Sequence, residues 1–144
     1  MATQTEQTAE PSTVVVYVGN GCFGQLVVND LRANTSARIT VAGRRPSKER
    51  DVSPRVTFVR ADLNDFAAAC ATLAAASVVV HCAGPFQSQA PTLVRAAIES
   101  GVHSVDLAED PGFVRPLQAF DEAVRWSVVA LGGGRSFCPA GRAL

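Results

Sequence analysis

Short runs of β-branched residues alternate along the chain with longer segments in which apolar positions recur every three or four residues. Strands that alternate with helical periodicity are typical of a parallel sheet built from βαβ units. The predicted strands are Val14–Val18, Arg38–Ala42, Arg55–Val59, Ser77–His81, His103–Leu107 and Ser127–Leu131. We therefore predict an α/β fold, a doubly wound and mostly parallel six-stranded Rossmann sheet with helices on both faces.

The first two predicted helices are amphipathic. We expect the first to lie against the first strand through one apolar stripe. The residues of that stripe are Phe23, Leu26, Val27 and Leu31. The second is predicted from Asn64 to Ala76, with Asn64 as its N-cap. Its predicted buried residues are Phe66, Cys70 and Leu73.

Two further helices follow the same periodicity. Gly101 is predicted to close the third helix, because glycine adopts the left-handed conformation that often ends a helix. In the last helix we expect Pro116 in the first turn, where a missing amide hydrogen costs little. The apolar side of that helix is predicted to comprise Phe113, Leu117, Phe120 and Val124.

The chain is long enough for one domain with its own core. Residues 1–12 are rich in Thr, Gln, Glu and Ala, contain no Lys or Arg, and are expected to form a disordered N-terminal tail without a secretory signal. Residues 13–135 are predicted to form the Rossmann domain. Residues 136–144 are expected to be the truncated start of a second domain.

Charge and cysteine content narrow the function classes. Thirteen Lys and Arg residues balance thirteen Asp and Glu residues, which gives no electrostatic reason to expect nucleic acid as a partner. No charged residue lies between Asp65 and Arg95, but this segment contains a Val-rich run and Gly84-Pro85, which argue against a membrane helix. The four cysteines lack zinc-ligand spacing. We expect reduced thiols, no metal site and a cytoplasmic location.

The strongest local motif is a glycine loop. It consists of Gly19, Asn20, Gly21, Cys22, Phe23 and Gly24, and it follows the first strand and opens the first helix. In this context Gly19 allows the tight turn, Gly21 admits a pyrophosphate close to the backbone, and Gly24 allows close helix packing. The alternative, that the glycines only make a turn, is weakened by the strands that follow. We predict a dinucleotide cofactor.

The choice of cofactor depends on the end of the second strand, where NAD-binding enzymes place an Asp or Glu for the ribose 2′-hydroxyl. This chain has Gly43, Arg44 and Arg45 there. A guanidinium can bind a 2′-phosphate through two hydrogen bonds. NADP(H) is therefore favoured over NAD(H), with Arg44 as the first choice. The alternative is that both arginines are solvated turn residues.

The third and fourth strands end in further candidate residues. Asp62 borders the expected adenine pocket, or else it serves the start of the following helix. Ala83, Gly84 and Pro85 follow the fourth strand, and their small side chains leave room for a pyrophosphate and ribose. His81 lies at the end of that strand, but it has no identifiable catalytic partner in the sequence. No residue, including the neighbouring Cys82, is assigned a catalytic role.

The order of these motifs resembles the NADP-binding domain of the saccharopine dehydrogenase-like oxidoreductases, from about Val14 to Gly134. The resemblance rests on the glycine loop and on three later elements. These are Ala42-Gly43-Arg44, Cys82-Ala83-Gly84-Pro85-Phe86, and Gly101-Val102-His103 with Val105-Asp106-Leu107. Ser104, Ala97 and Asn20 depart from the family pattern and leave the substrate open.

The resemblance implies that the glycine loop, Arg44 and the loop Ala83–Pro85 contact the dinucleotide, and that the chemistry is hydride transfer. It also implies a second, substrate-binding domain, of which residues 137–141 resemble the beginning. The expectation is a cofactor-binding domain without independent catalysis. The alternatives are a nucleotide sensor and a nonfunctional truncated remnant. A homo-oligomer or a partner protein could use the surface that the second domain would otherwise cover.

Overall fold

A parallel sheet runs through the computed structural model, which describes residues 11–18, 21–45, 53–86, 89–108, 111–120 and 128–130. Its strands are β1 (Thr13–Tyr17), β2 (Arg38–Gly43), β3 (Val56–Arg60), β4 (Val78–His81) and β5 (His103–Asp106). They lie in the order β3-β2-β1-β4-β5, and the backbone of β6 (Val128–Ala130) pairs in parallel with β5. The order reverses between β1 and β4, where doubly wound folds bind ligands.

Helices connect most of the strands. Among the described residues these are α1 (Cys22–Asn34), α2 (Phe66–Leu73), α3 (Thr92–Ser100) and α4 (Pro111–Leu117), and a 3₁₀ turn follows at Gln118–Phe120. Gly101 closes α3 with φ of 66°, as predicted. Over the described residues no helix is long and apolar enough to cross a membrane.

The core has two layers, one on each face of the sheet, because successive side chains of a strand point to opposite faces. On one face Val28 of α1 packs with alternate residues of β1 and β2. Those residues are Val14, Val16, Ile39 and Val41. On the other face α2 and α3 cover Val15, Tyr17 and Val79. Helices on both faces confirm the doubly wound Rossmann-like class.

The apolar stripe predicted for α1 is wrong at two positions. Phe23 is 65% exposed and Leu26 is 63% exposed. The helix instead packs through Gly24, Val27, Val28 and Leu31. Gly24 is buried against the sheet, because a glycine in the first turn lets the helix approach the first strand closely. That contact rotates Phe23 and Leu26 into solvent.

The starts of α2 and α4 also differ from prediction. Asp65, not Asn64, is the N-cap of α2, and its carboxylate accepts from the amide of Ala68 at 3.0 Å. The N-cap therefore lies one residue later than predicted, and the first-turn residue Phe66, which was expected to be buried, is 39% exposed. Pro116 lies near the end of α4, not in its first turn.

Several predicted features lie outside the described residues. They include residues 1–10 of the expected tail, the segment 46–52 after β2, Val124 of the last predicted helix, and residues 131–144. The domain division stays a prediction.

Candidate functional site

The chain leaves β1, β2 and β4 at one edge of the sheet. The amide of Val18 donates to the carbonyl of Ala42 at 2.7 Å, and the amide of Cys82 donates to the carbonyl of Tyr17 at 3.1 Å. These bonds extend the parallel pairing just past the strand ends. The segments that follow β1, β2 and β4 therefore begin side by side at the point where the strand order reverses.

A tight turn joins β1 to α1. Val18 has a φ of 59°, which is unusual for a β-branched residue, and its carbonyl accepts from the amide of Gly21 at 3.0 Å. A Cβ built on Gly21 would lie 3.2 Å from both Cγ1 and the carbonyl oxygen of Val18. A side chain at position 21 would therefore need Val18 to move by a few tenths of an ångström, and glycine avoids that shift. Gly19 and Asn20 lie outside the described residues.

The N-terminus of α1 carries no side-chain cap. Gly21 is the N-cap and has no side chain to bond the first-turn amides, and no acidic residue lies in that turn. Cys22 and Phe23 are exposed there, while Gly24 is buried. Helix N-termini concentrate unpaired amides and positive partial charge. This end of α1 can therefore accept an anionic group from solvent through its backbone.

Basic residues follow β2 and β3 at the same edge. Gly43 is buried, and Arg44 and Arg45 are exposed beyond it. Arg60, the last residue of β3, pairs in register with Gly43 and is also exposed. The sequence reasoning missed Arg60, although aligning the ends of the second and third predicted strands would have placed it beside Gly43.

Asp62 takes part in the turn before α2. Its Oδ1 accepts from the backbone amide of Asn64 at 3.0 Å and from the Asn64 side chain at 3.2 Å. The amide of Asp65 donates to the carbonyl of Asp62 at 3.1 Å. These contacts are those of a residue that shapes a helix start. A contact with adenine stays a prediction.

The loop after β4 combines a buried anchor with an exposed surface. Ala83 is buried, whereas Gly84 and Pro85 are exposed and joined by a cis peptide bond. The side-chain amide of Gln89 donates to the carbonyl of Ala83 at 2.7 Å and ties the loop to the start of α3. Counting the described residues alone, a Cβ on Gly84 would meet no heavy atom within 4 Å. These residues therefore leave Gly84 accessible to a ligand.

His81 is buried beneath that loop. Its Nδ1 accepts from the amide of Ala83 at 3.2 Å, and its ring lies 4.8 Å from the ring of Phe86 and 6.2 Å from that of Phe113. Burial lowers the pKa of His81 to about 4, and a hydrogen bond with the Gln89 side chain opposes part of the shift. His81 is therefore neutral near pH 7 and works as a packed acceptor.

Cys82 offers no reactive thiolate. Burial raises its pKa to about 11, so only a trace of thiolate exists near neutral pH, and thiolate is the nucleophilic form. Both environments favour a packing role for His81 and Cys82. In the described part of the chain no group of three or more His, Cys, Asp or Glu residues is placed to hold a metal ion.

A row of buried polar residues crosses the α2/α3 side of the sheet. Tyr17 pairs in register with His81, and His81 pairs with Asp106. Asp106 Oδ1 accepts from the amide of Ala108 at 2.9 Å. Burial raises the pKa values of Asp106 and Tyr17 above their usual ranges. Of this row, His81 holds the base of the loop after β4 through the amide of Ala83.

The described residues fit a dinucleotide. The uncapped N-terminus of α1 supplies amides, Gly21 keeps side chains out of the turn, the end of β2 supplies guanidinium groups, and Gly84 leaves open space. The structure brings Gly21, Cys22 and Phe23 to the same edge as Arg44, Arg45, Asp62 and the loop Ala83–Pro85.

Comparisons with known proteins agree with this geometry. The model of the family described as "Saccharopine dehydrogenase NADP binding domain" matches residues 15–127. A "Saccharopine dehydrogenase-like oxidoreductase" from Rattus norvegicus is 27% identical over an alignment of 130 residues, and the match covers 76% of this chain and 30% of that protein. The chain thus spans less than a third of the length of this relative.

Solved structures share the fold. Apo saccharopine dehydrogenase (L-Glu forming) from Saccharomyces cerevisiae matches with a TM-score of 0.65 and 23% identity, covering 84% of this chain and 26% of that one. A short-chain dehydrogenase/reductase from Veillonella parvula in complex with NADP matches with a TM-score of 0.62 and 15% identity, covering 85% of this chain and 68% of that one.

Proposed function

The chain belongs to the saccharopine dehydrogenase NADP-binding domain family, and from this membership we propose that it binds NADP(H) as the cofactor domain of a saccharopine dehydrogenase-like oxidoreductase. One observation carries the proposal most strongly. Gly21 packs so close to Val18 that a Cβ would be only 3.2 Å from it, and it does so at the uncapped N-terminus of α1. This arrangement suits a pyrophosphate on backbone amides.

The residues to which we assign the adenosine half of the cofactor favour NADP(H) over NAD(H). Arg44 and Arg45 follow the end of β2. NAD-binding enzymes place a carboxylate at this position for the ribose 2′-hydroxyl, and a carboxylate would repel a 2′-phosphate. A guanidinium binds a 2′-phosphate with two charge-assisted hydrogen bonds. Arg44 follows Gly43 directly and is the residue to which we assign this contact.

The other end of the cofactor is assigned to the loop Ala83–Pro85. The bound nicotinamide would supply the hydride, and the chain's own residues would hold and orient it. The environments of His81 and Cys82 favour packing over proton transfer or nucleophilic attack. We accordingly propose that this domain lacks independent catalysis and that the groups which orient the substrate lie outside its described residues.

The exposed surface of α1 separates this proposal from a self-contained nucleotide sensor. Phe23 and Leu26 are adjacent on the helix surface and are the most exposed large apolar side chains of the described residues. They lie beside the proposed phosphate site, and such a patch favours contact with further polypeptide. An oxidoreductase with a substrate domain accounts for it better than a lone sensor does. The remnant alternative and the cytoplasmic location stay predictions.

A titration of the purified chain with NADPH and NADH tests the proposal. Nicotinamide fluorescence should saturate with NADPH at lower concentration than with NADH, and Arg44→Gln should reduce that difference. Arg38→Gln, at the opposite edge of the sheet, removes the same charge and should leave both affinities unchanged. Absence of saturable binding by either nucleotide would refute the dinucleotide site. Equal affinities in the wild-type chain would refute the role of Arg44.

A further inference from the structure

Arg60 and Arg44 lie next to each other at the carboxyl ends of two paired strands. Arg60 is the register partner of Gly43, the residue that precedes Arg44. The amide of Ala61 then donates to the carbonyl of Gly43 at 3.0 Å, so the pairing continues past Arg60. Neighbouring strands are about 4.8 Å apart. The backbone positions of Arg44 and Arg60 therefore lie within a few ångströms of each other at this edge of the sheet.

Within the part of the chain that the structure describes, neither the Arg44 nor the Arg60 guanidinium has an acidic partner. Both side chains are exposed, and among the described residues neither side chain makes a hydrogen bond, ion pair or ring contact. Asp62, the acidic residue nearest to Arg60 along the chain, uses its Oδ1 in the turn to Asn64. Two like charges on neighbouring strands are unfavourable unless an anion is shared between them. The arrangement therefore calls for a bound anion.

We propose that Arg60 is a specificity-determining residue that binds the 2′-phosphate of NADP(H) together with Arg44. This inference rests on the proposed function and adds a residue from β3 to the site. A phosphate monoester carries a charge of about −1.5 to −2 near pH 7 and has three acceptor oxygens. One guanidinium cannot neutralise that charge, whereas two planar donors approaching from neighbouring strands can.

The pair Arg44 and Arg60 also explains how this edge of the sheet would discriminate between NADP(H) and NAD(H). The 2′-hydroxyl of NAD(H) carries no charge and gives the second guanidinium nothing to neutralise. Binding NAD(H) leaves the charges of Arg44 and Arg60 without a bound anion. Arg60 therefore contributes to the ratio of the two affinities, and the pyrophosphate contacts of the glycine loop contribute to both.

The test compares three variants by fluorescence titration with NADPH and NADH at low ionic strength. Arg60→Gln keeps the length of the side chain and removes its charge, and Arg60→Lys keeps the charge without the planar fork. Arg38→Gln at the start of β2 is the control for net charge. Loss of one charge-assisted contact predicts a roughly tenfold fall in the NADPH-to-NADH affinity ratio for Arg60→Gln. The ratio for Arg60→Lys should lie between those of Arg60→Gln and the wild type.

Adenosine 2′-monophosphate provides a second readout, because it contains the proposed anion without the pyrophosphate. It should compete with NADPH for the wild-type chain and compete roughly tenfold less well for Arg60→Gln. An unchanged ratio, or equal losses for NADPH and NADH, would overturn the role of Arg60 and leave the proposed function standing. No saturable binding of either nucleotide to the wild-type chain would overturn both.

Discussion

Gly21 and Val18 pack so closely that a Cβ on Gly21 would lie 3.2 Å from both the Cγ1 and the carbonyl oxygen of Val18. The carbonyl cannot retreat easily, because it accepts the amide of Gly21 itself. These contacts couple the first turn of α1 to the end of β1. A change in one therefore changes the other, including the left-handed backbone of Val18. That geometry links the shape of the turn to the proposed phosphate site.

Gly21→Ala should disturb the turn and the proposed cofactor site together. The added methyl group forces a backbone shift that costs about 1–2 kcal/mol of unfolding free energy. It should also weaken NADPH binding roughly tenfold or more, because the α1 amides move. Urea denaturation and nicotinamide fluorescence measure the two effects.

The control is Gly101→Ala. Gly101 has a φ of 66° and open space around its Cβ position, so alanine there costs roughly 1–2 kcal/mol through backbone strain alone. It lies between α3 and β5, at the opposite end of the strands. NADPH affinity should be unchanged in this variant. An equal loss of affinity in both variants would mean that stability, and not the turn, controls binding.

Much of the sheet could be predicted from sequence, because Val-rich runs define strands and glycines mark their ends. The orientation of α1 could not be predicted from periodicity, since both the Phe23–Leu26 side and the Gly24–Val28 side recur at helical spacing. The need of Gly24 to face β1 decides between them. Giving the glycine more weight than the phenylalanine would have predicted the observed side.

The candidate site shows a similar division. The glycine loop and Arg44 could be predicted from spacing alone, because the glycine motif, the strand after it and the basic pair lie close together in the sequence. Arg60 requires the register of β3 against β2, which joins residues 17 positions apart. The neutral state of His81 requires its burial and the donor from Ala83. Neither can be read from neighbours in the chain.

The lowered pKa of His81 predicts that the unfolding free energy of the protein decreases as the pH falls. Its folded pKa of about 4 lies below the usual 6.5, so the unfolded chain takes up this proton first as the pH falls. The stability contributed by neutral His81 is complete above pH 6.5, declines between pH 6.5 and 4, and is constant below. The loss amounts to roughly 3 kcal/mol at about 1.4 kcal/mol per pKa unit.

His81→Asn tests this pH dependence, because its side-chain oxygen can still accept the amide of Ala83 but does not titrate in this range. Urea denaturation from pH 7.5 to 4 should show a shallower decline for the variant than for the wild type. Asp106, the strand neighbour with a raised pKa, acts in the opposite direction. It is present in both proteins, so it cancels in the difference. Parallel curves would contradict the assignment.

Arg55 should stabilise the end of α1. Its guanidinium donates to the carbonyls of Arg32 at 2.9 Å, Thr35 at 2.8 Å and Ala37 at 3.1 Å. Removing these donors with Arg55→Met should lower the unfolding free energy by about 2 kcal/mol. Arg55→Lys should recover only part of it, because an ammonium group cannot span the three carbonyls.

The matched control for Arg55 is Arg95→Met. Arg95 is exposed and lies 5.4 Å from the ring centroid of Phe66. Loss of this exposed cation–π contact should cost only about 0.5–1 kcal/mol. Equal losses from Arg55→Met and Arg95→Met in urea denaturation would show that the three carbonyl contacts contribute little to stability.

Ser104 is expected to destabilise the sheet. It lies in β5 beside Val79 of β4 and is buried, and across the described part of the chain its Oγ finds no hydrogen-bond partner. Ser104→Ala removes a buried hydroxyl without breaking a hydrogen bond and should raise the unfolding free energy by about 1 kcal/mol.

Thr35→Val provides the comparison, because the Thr35 hydroxyl donates to the carbonyl of Leu31 and accepts from the amide of Ala37. That variant should lose about 1 kcal/mol in the same urea denaturation. Destabilisation by Ser104→Ala would show that the hydroxyl has a stabilising partner after all, and opposite signs for the two variants would confirm that pairing, rather than polarity, decides the effect.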